Sequence, residues 1–267
     1  MTTILSSPGL PAESDGFRVE IDAARERADI LLDRPPLNVI SMAERDQLRV
    51  AFEALDADPR VRVIVLRAVG EHFSSGGDIA GFLAATPDHV SRLAFNVAAP
   101  ERCSKPVIAA NRGYTFGVGF ELSLACDFRI ASETTLYALP EQRLGQIPGS
   151  GGSARLQKMI GIARTKDIVM RSRRLPAREA LAWGIVVECL PDGELERATD
   201  ALADELRAFS PLAQRTAKRL MNDGENAPLS VAIEMEGHCY SRLRNSDDFR
   251  EGATAFKDKR KPVFRGS

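Results

Sequence analysis

Apolar residues recur along the chain with two distinct periods, and the switches between them divide it into elements. Residues 17–22 (FRVEID) and 28–32 (ADILL) have the short β-rich character of two strands separated by a charged turn. From Ser41 the period lengthens. Leu48, Phe52 and Leu55 recur at helical spacing, Ser41-x-x-Glu44 fits a capping box, and Pro59 stops the helix. Val61–Arg67 (VRVIVLR) is β-branched and nearly continuous in apolar residues, as a strand covered on both faces should be. Pro106–Ala110 and Phe128–Ala131 read the same way. The first two of these strands run into glycine-containing turns and then helices, at 72–82 (HFSSGGDIAGF) and 113–125 (GYTFGVGFELSLA). A third glycine-rich segment, GQIPGSGGSARL at 145–156, follows the strand-like LYALPE.

Beyond about residue 151 the pattern is largely helical, with Ser210-Pro211 as a well-formed helix start. Residues 1–16, rich in Ser, Pro and Gly, read as a loose lead-in. Strands followed by helices, then a helical tail, predict an α/β fold with an all-helical C-terminal portion. The division falls between a core over residues 1–200 and a helical region over 201–267.

Composition narrows the classes. The chain has 267 residues, 44% hydrophobic, which is enough to bury a large core. With 36 basic and 37 acidic side chains it has no global field to draw nucleic acid or an anionic membrane. The four cysteines (Cys103, Cys126, Cys189, Cys239) show no paired spacing and read as reduced thiols. His72, His89 and His238 share no metal-ligand spacing, so no metal site is expected. The N-terminus lacks the charged and apolar regions of a secretory signal, and no apolar run is long enough to span a bilayer. A cytoplasmic location is the expectation.

The glycine turns are backbone devices. Gly76 and Gly77 place bare backbone where a ligand can approach, and Asp78 can cap the helix that follows. Gly117 and Gly119 flank Val118 at a helix start, where unpaired N–H groups point outward. One N–H from each turn would make an oxyanion hole, although ordinary tight turns look the same. Glu121 stands among Phe116, Val118, Phe120, Leu122 and Leu124, and Glu141 follows another apolar run. Desolvation there raises a carboxyl towards the working range of a general acid, whereas a solvated surface Glu would carry no such role.

Together FSSGGDI at 73–79, PVIAANRGYTFGVGFELSLACDFRIA at 106–131 and LPEQRLGQIPGSGGSARL at 139–156 resemble the enoyl-CoA hydratase/isomerase, or crotonase, superfamily. AREALAWGIVVECL at 177–190 and FREGATAFKDKRKPVF at 249–264 extend the resemblance over residues 17–264. It implies a spiral of ββα units with C-terminal helices that build a homotrimer or a dimer of trimers. It also implies that Gly77 and Val118 supply the oxyanion-hole N–H groups, Val118 standing where the family usually has Gly. Glu121 and Glu141 match the two glutamates of hydratases. Members that isomerise, hydrolyse or cleave acyl-CoA often lack one of them, so the pair favours adding water to an enoyl-CoA. Leu37, within Pro35–Val39, with Asp78 and Ile79, would hold adenine and pantetheine, and Lys259 and Phe256 in the C-terminal tail would meet the coenzyme.

Arg34 is a lesser candidate for the phosphates, since Pro36 stands where the family often has a lysine. Phe82, Leu83, Phe95 and Phe116 are candidate acyl-pocket residues. Arg171–Arg174 reads as a solvated face or an acidic-substrate contact, Trp183 as core or interface packing, and Lys105 as a surface residue at a strand end. No cofactor is implied, because coenzyme A is part of the substrate. Isomerase, hydrolase or lyase chemistry on the same scaffold, or a non-catalytic RNA-binding role, are the alternatives, and the balanced charge argues against RNA.

Overall fold

The computed structural model describes residues 7–11 and 14–267, so part of the predicted lead-in (residues 1–6, 12 and 13) lies outside the described residues. Strand β1 (Phe17–Asp22) pairs antiparallel with β2 (Arg27–Leu32), placing Phe17 opposite Leu32. β3 (Val63–Ala68), β4 (Val107–Asn111), β6 (Phe128–Ser132) and β9 (Glu188–Leu190) then add in parallel, giving a six-stranded sheet of order β1-β2-β3-β4-β6-β9. A smaller sheet joins β5 (Tyr114–Phe116), β7 (Leu136–Ala138) and β8 (Leu175–Pro176). The architecture is the α/β fold with a helical C-terminal portion that the sequence pattern predicts.

The inner strands β2, β3 and β4 are buried on both faces, and β3 shows how. Ile64 and Leu66 join a core with Leu48, Phe52 and Leu55 of helix α1 (Met42–Ala57). Val63 and Val65, on the opposite face, pack with Ile108, Ile130, Leu195 and Leu206. The capping box forms as predicted: Ser41 Oγ accepts from Glu44 N–H at 3.0 Å while Glu44 Oε2 accepts from Ser41 N–H at 3.3 Å. Between β3 and β4 lie four short helices, α2 (Ile79–Ala84), α3 (Pro87–Ser91), α4 (Leu93–Val97) and α5 (Ala99–Arg102). α6 (Val118–Leu124) follows β5, and α7 (Gly152–Met170) leads, by way of β8, to α8 (Ala177–Ala182).

Two strands, β8 and β9, interrupt the stretch after residue 151 that the pattern makes largely helical. Helix α9 (Leu195–Arg207) crosses the expected boundary at residue 200 and packs on β3, β4 and β6. After it come three further helices, α10 (Pro211–Gly224), α11 (Leu229–Leu243) and α12 (Asp247–Lys257), and then an irregular tail. α11 buries no residue and exposes Leu229, Val231, Ile233 and Tyr240.

Lys105 corrects an expectation. It is buried rather than superficial, with Nζ donating to the carbonyls of Leu55 and Asp58, both at 2.6 Å. The reason is the end of α1, whose last carbonyls lack intrahelical donors and attract a cation. Trp183 packs against a core cluster that includes Phe120, Leu156 and Ile168, with the guanidinium groups of Arg164 and Arg173 over its ring. Among the described residues no helix is long and apolar enough to cross a membrane.

Candidate active site

Two glycine turns meet at the centre of the molecule. Segment 37–40 runs beside the first: Ser75 N–H donates to Leu37 O (2.8 Å), Ile40 N–H to Gly76 O (2.9 Å) and Asp78 N–H to Ile40 O (3.1 Å). The N–H groups on either side of Gly77 are thereby occupied, with Gly76 N–H on Ser74 Oγ at 3.1 Å. Gly77 N–H itself has no acceptor among the described residues.

Ser74 also pairs with the second turn, donating to Tyr114 O at 2.8 Å and accepting from Phe116 N–H at 2.9 Å. Gly117, at φ +52°, donates to Ala138 O (2.9 Å) and turns the chain into α6, whose first residue, Val118, also has an N–H without an acceptor. The turns touch: a methyl group on Gly117 would lie 3.6 Å from Gly76 Cα, and one on Gly77 3.8 Å from Val118 Cγ1. Gly119 is required for this approach, because a Cβ there would sit 2.6 Å from Ser74 Cβ.

Both predicted carboxylates reach this place. Glu121, in the first turn of α6, is 3% exposed. Its Oε1 accepts from Ser150 N–H (2.7 Å) and Gly152 N–H (3.0 Å) at the start of α7. Burial raises its pKa overall, against the opposing pull of those two N–H groups and of the charges of Arg45 and Arg155. Glu141 stands on the 3-10 turn Pro140–Leu144. A methyl group on Gly117 would be 3.2 Å from its Oε1, so this carboxyl lies against the second turn. Its Oε2 is buried without a hydrogen-bond partner. Burial, helped by the nearby charge of Glu121, pushes Glu141 up to about 7. One loop, from β7 to α7, thus carries Glu141 and also the N–H groups that hold Glu121.

The other predicted residues divide. Asp78 caps α2, accepting from Ala80 and Gly81 N–H at 3.1 Å each, and Ile79 and Leu37 are half-exposed beside the joined segments. Lys259 and Phe256 lie at the end of α12, both exposed, and no hydrogen bond or ion pair ties either to Leu37, Asp78 or Ile79. Arg34 is committed to Asp15 and to Val39 O at 3.0 Å. Of the pocket candidates, Phe116 is buried and Phe82 partly so, whereas Leu83 is 87% exposed and Phe95 stacks on Arg102. Arg171 and Arg173 are held by Asp167, and Arg174 lies over the rings of Tyr114 and Phe116. Among the described residues no group of acidic, His or Cys side chains could hold a metal ion.

Two features escaped the sequence pattern. The Ser150–Gly152 clamp on Glu121 was visible only as a glycine-rich run. Arg45, buried beside Gly77, was signalled by a charge standing three residues before Leu48 on the apolar face of α1.

A site with two main-chain donors and two buried carboxyls can polarise a carbonyl oxygen and move protons beside it. Residues 25–267 match the enoyl-CoA hydratase/isomerase family. The chain is 34% identical to the "Probable enoyl-CoA hydratase 2, mitochondrial" of Arabidopsis thaliana, over 90% of this chain and 81% of that protein. It is 37% identical to the carnitinyl-CoA dehydratase of Salmonella typhi, over 89% and 94%. The crystal structure of enoyl-CoA hydratase from Bacillus anthracis superposes with a TM-score of 0.89 at 33% identity, covering 95% of this chain and all of that one.

Proposed function

The chain belongs to the enoyl-CoA hydratase/isomerase family, and from that premise we propose that it adds water across the α,β double bond of an acyl-CoA thioester. The observation that carries this reading is the asymmetry of two neighbouring carboxyls: one saturated by main-chain donors, the other with a buried oxygen that has no partner. The N–H groups of Gly77 and Val118 donate hydrogen bonds to the thioester oxygen. Glu121, whose anion is stabilised by Ser150, Gly152, Arg45 and Arg155, takes a proton from water. The water oxygen then bonds to Cβ as the π electrons shift through Cα to the thioester oxygen.

Glu141, kept protonated by burial and by the charge of Glu121, delivers its proton to Cα as the enolate collapses. The pair finishes with its one proton moved from Glu141 to Glu121, and exchange through the next water restores it. These transfers use only the chain's own carboxyls, with coenzyme A entering as part of the substrate.

Coenzyme binding is assigned to Leu37, Asp78 and Ile79, with Lys259 and Phe256 contributed from another copy of the chain. The exposed apolar face of α11 supports such a homotrimer or pair of trimers, and the mass of the native assembly in solution checks it.

Incubation with crotonyl-CoA and a panel of longer and branched enoyl-CoAs tests the reaction. Loss of the conjugated absorbance with a product heavier by one water and an intact thioester is expected. A product of unchanged mass would instead establish isomerisation, and inertness towards the whole panel would sink the hydratase reading.

A further inference from the structure

Among the described residues the buried cations have polar partners, with one exception. Lys218 Nζ donates to Pro100 O, Lys105 O and Asp127 at 2.7–2.9 Å. Lys105 holds two carbonyls, and Arg129 donates to the carbonyls of Ile185 and Cys126, both at 2.6 Å. Arg27 is paired with Asp29 at 2.6 Å.

Arg45, 4% exposed, has neither a hydrogen-bond acceptor nor a carboxylate within ion-pair range among the described residues, and its Nε is wholly buried. The carboxylates whose charge it feels, Glu121 and Glu44, lie beyond ion-pair range and have other partners. Glu44 closes the capping box and faces Arg34, and Glu121 Oε1 is held by Ser150 and Gly152. A guanidinium in such a place retains unmet demand for an anion.

Its position says where that anion would sit. A methyl group on Gly77 would collide with Arg45 Nη2, so glycine at this position is what lets the guanidinium lie against the oxyanion turn. The Phe82 ring covers it, 5.3 Å from Cζ, and Val118 Cγ1 lines the same space. The cation is thus walled by apolar groups beside the N–H that would hold the thioester oxygen, where an ionic hydrogen bond counts for more than at the surface.

We propose that Arg45 binds a carboxylate carried on the acyl chain, so that the preferred substrates are short acyl-CoA thioesters bearing a second carboxylate. The planar guanidinium fork suits a carboxylate through two parallel hydrogen bonds. A neutral acyl chain would leave the cation unpaired, and a cationic one would be repelled. The proposal rests on the thioester-binding reading of the Gly77–Val118 site and names the acyl class for it.

Unreactive saturated thioesters separate the two. Calorimetric titration of the unmodified protein with glutaryl-CoA and with pentanoyl-CoA, matched in chain length, is expected to show glutaryl-CoA binding roughly 10- to 100-fold more tightly. Arg45→Met should bring the two affinities together, and Arg45→Lys should retain part of the difference. Equal affinities in the unmodified protein, or a preference that persists in Arg45→Met, overturn the assignment to Arg45 while leaving thioester binding intact. Failure of both thioesters to bind overturns both readings. The comparison in the unmodified protein decides the matter even if Arg45→Met does not fold.

Discussion

The start of α7 and the 3-10 turn before it treat their carboxyls in opposite ways. At Ser150–Gly152 two backbone N–H groups converge on Glu121 within 3.0 Å, so an almost fully buried carboxylate has its charge answered by the main chain. At Pro140–Leu144 the turn presents Glu141 with Oε2 buried and unanswered, next to the charge of Glu121. Burial raises the pKa of both carboxyls, but only at Glu121 do main-chain N–H groups and nearby arginines oppose the rise. That asymmetry of surroundings is what an acid–base pair needs, and it comes from main-chain donors together with the charges of Arg45 and Arg155.

Breaking either half has the largest expected effect. Glu121→Gln and Glu141→Gln should each lower the hydration rate by roughly 10²–10⁴, followed by loss of enoyl absorbance. The double variant should lose far less than the product of the single losses, because the two groups act as a unit. Val118→Pro removes one proposed oxyanion donor at a first helical position that tolerates proline, and should cost about 10²–10³ in rate with the fold retained. Val118→Gly, which keeps the N–H, should not.

Gly152→Ala tests the clamp alone, since its methyl would lie 3.0 Å from Glu121 Cγ and 3.2 Å from Oε1. A loss of roughly tenfold in kcat is expected from the displaced carboxylate.

The pH dependence sharpens the comparison further. The rate should decline as Glu141 loses its proton near 7. A rate that keeps climbing well above neutrality would contradict the placing of the proton on Glu141.

The smallest effect is on stability. The folded pKa of Glu141, about 7, lies above its ordinary value of 4.5, so the folded state binds more protons between those values and loses stability as pH rises through them. Glu141→Gln, neutral at every pH, should therefore melt higher than the unmodified protein under alkaline conditions, by roughly 2–4 °C for each kcal/mol gained. The gap should close as the pH falls towards 4.5.

Local pattern made much of this molecule legible. The β-branched run at 61–67, the capping box at Ser41 and the proline-started helix at 211 appear where short-range sterics and hydrogen bonding require them. The two glycine turns were recognisable as turns for the same reason. Their meaning, and the choice of Glu121 and Glu141 from the chain's many acids, came from resemblance, because a solvated glutamate and a buried one look alike in a sequence.

What the sequence determined by itself was therefore the order of elements, their helical or extended character and the family. Only tertiary structure decided that Lys105 goes inside, that Ser150 and Gly152 close on a carboxyl about thirty positions earlier, and that Arg45 is buried against Gly77 without an anion. Periodicity reports which face of an element is apolar. Hydrogen bonds and charges between distant segments depend on how those faces are packed, and no local pattern encodes that.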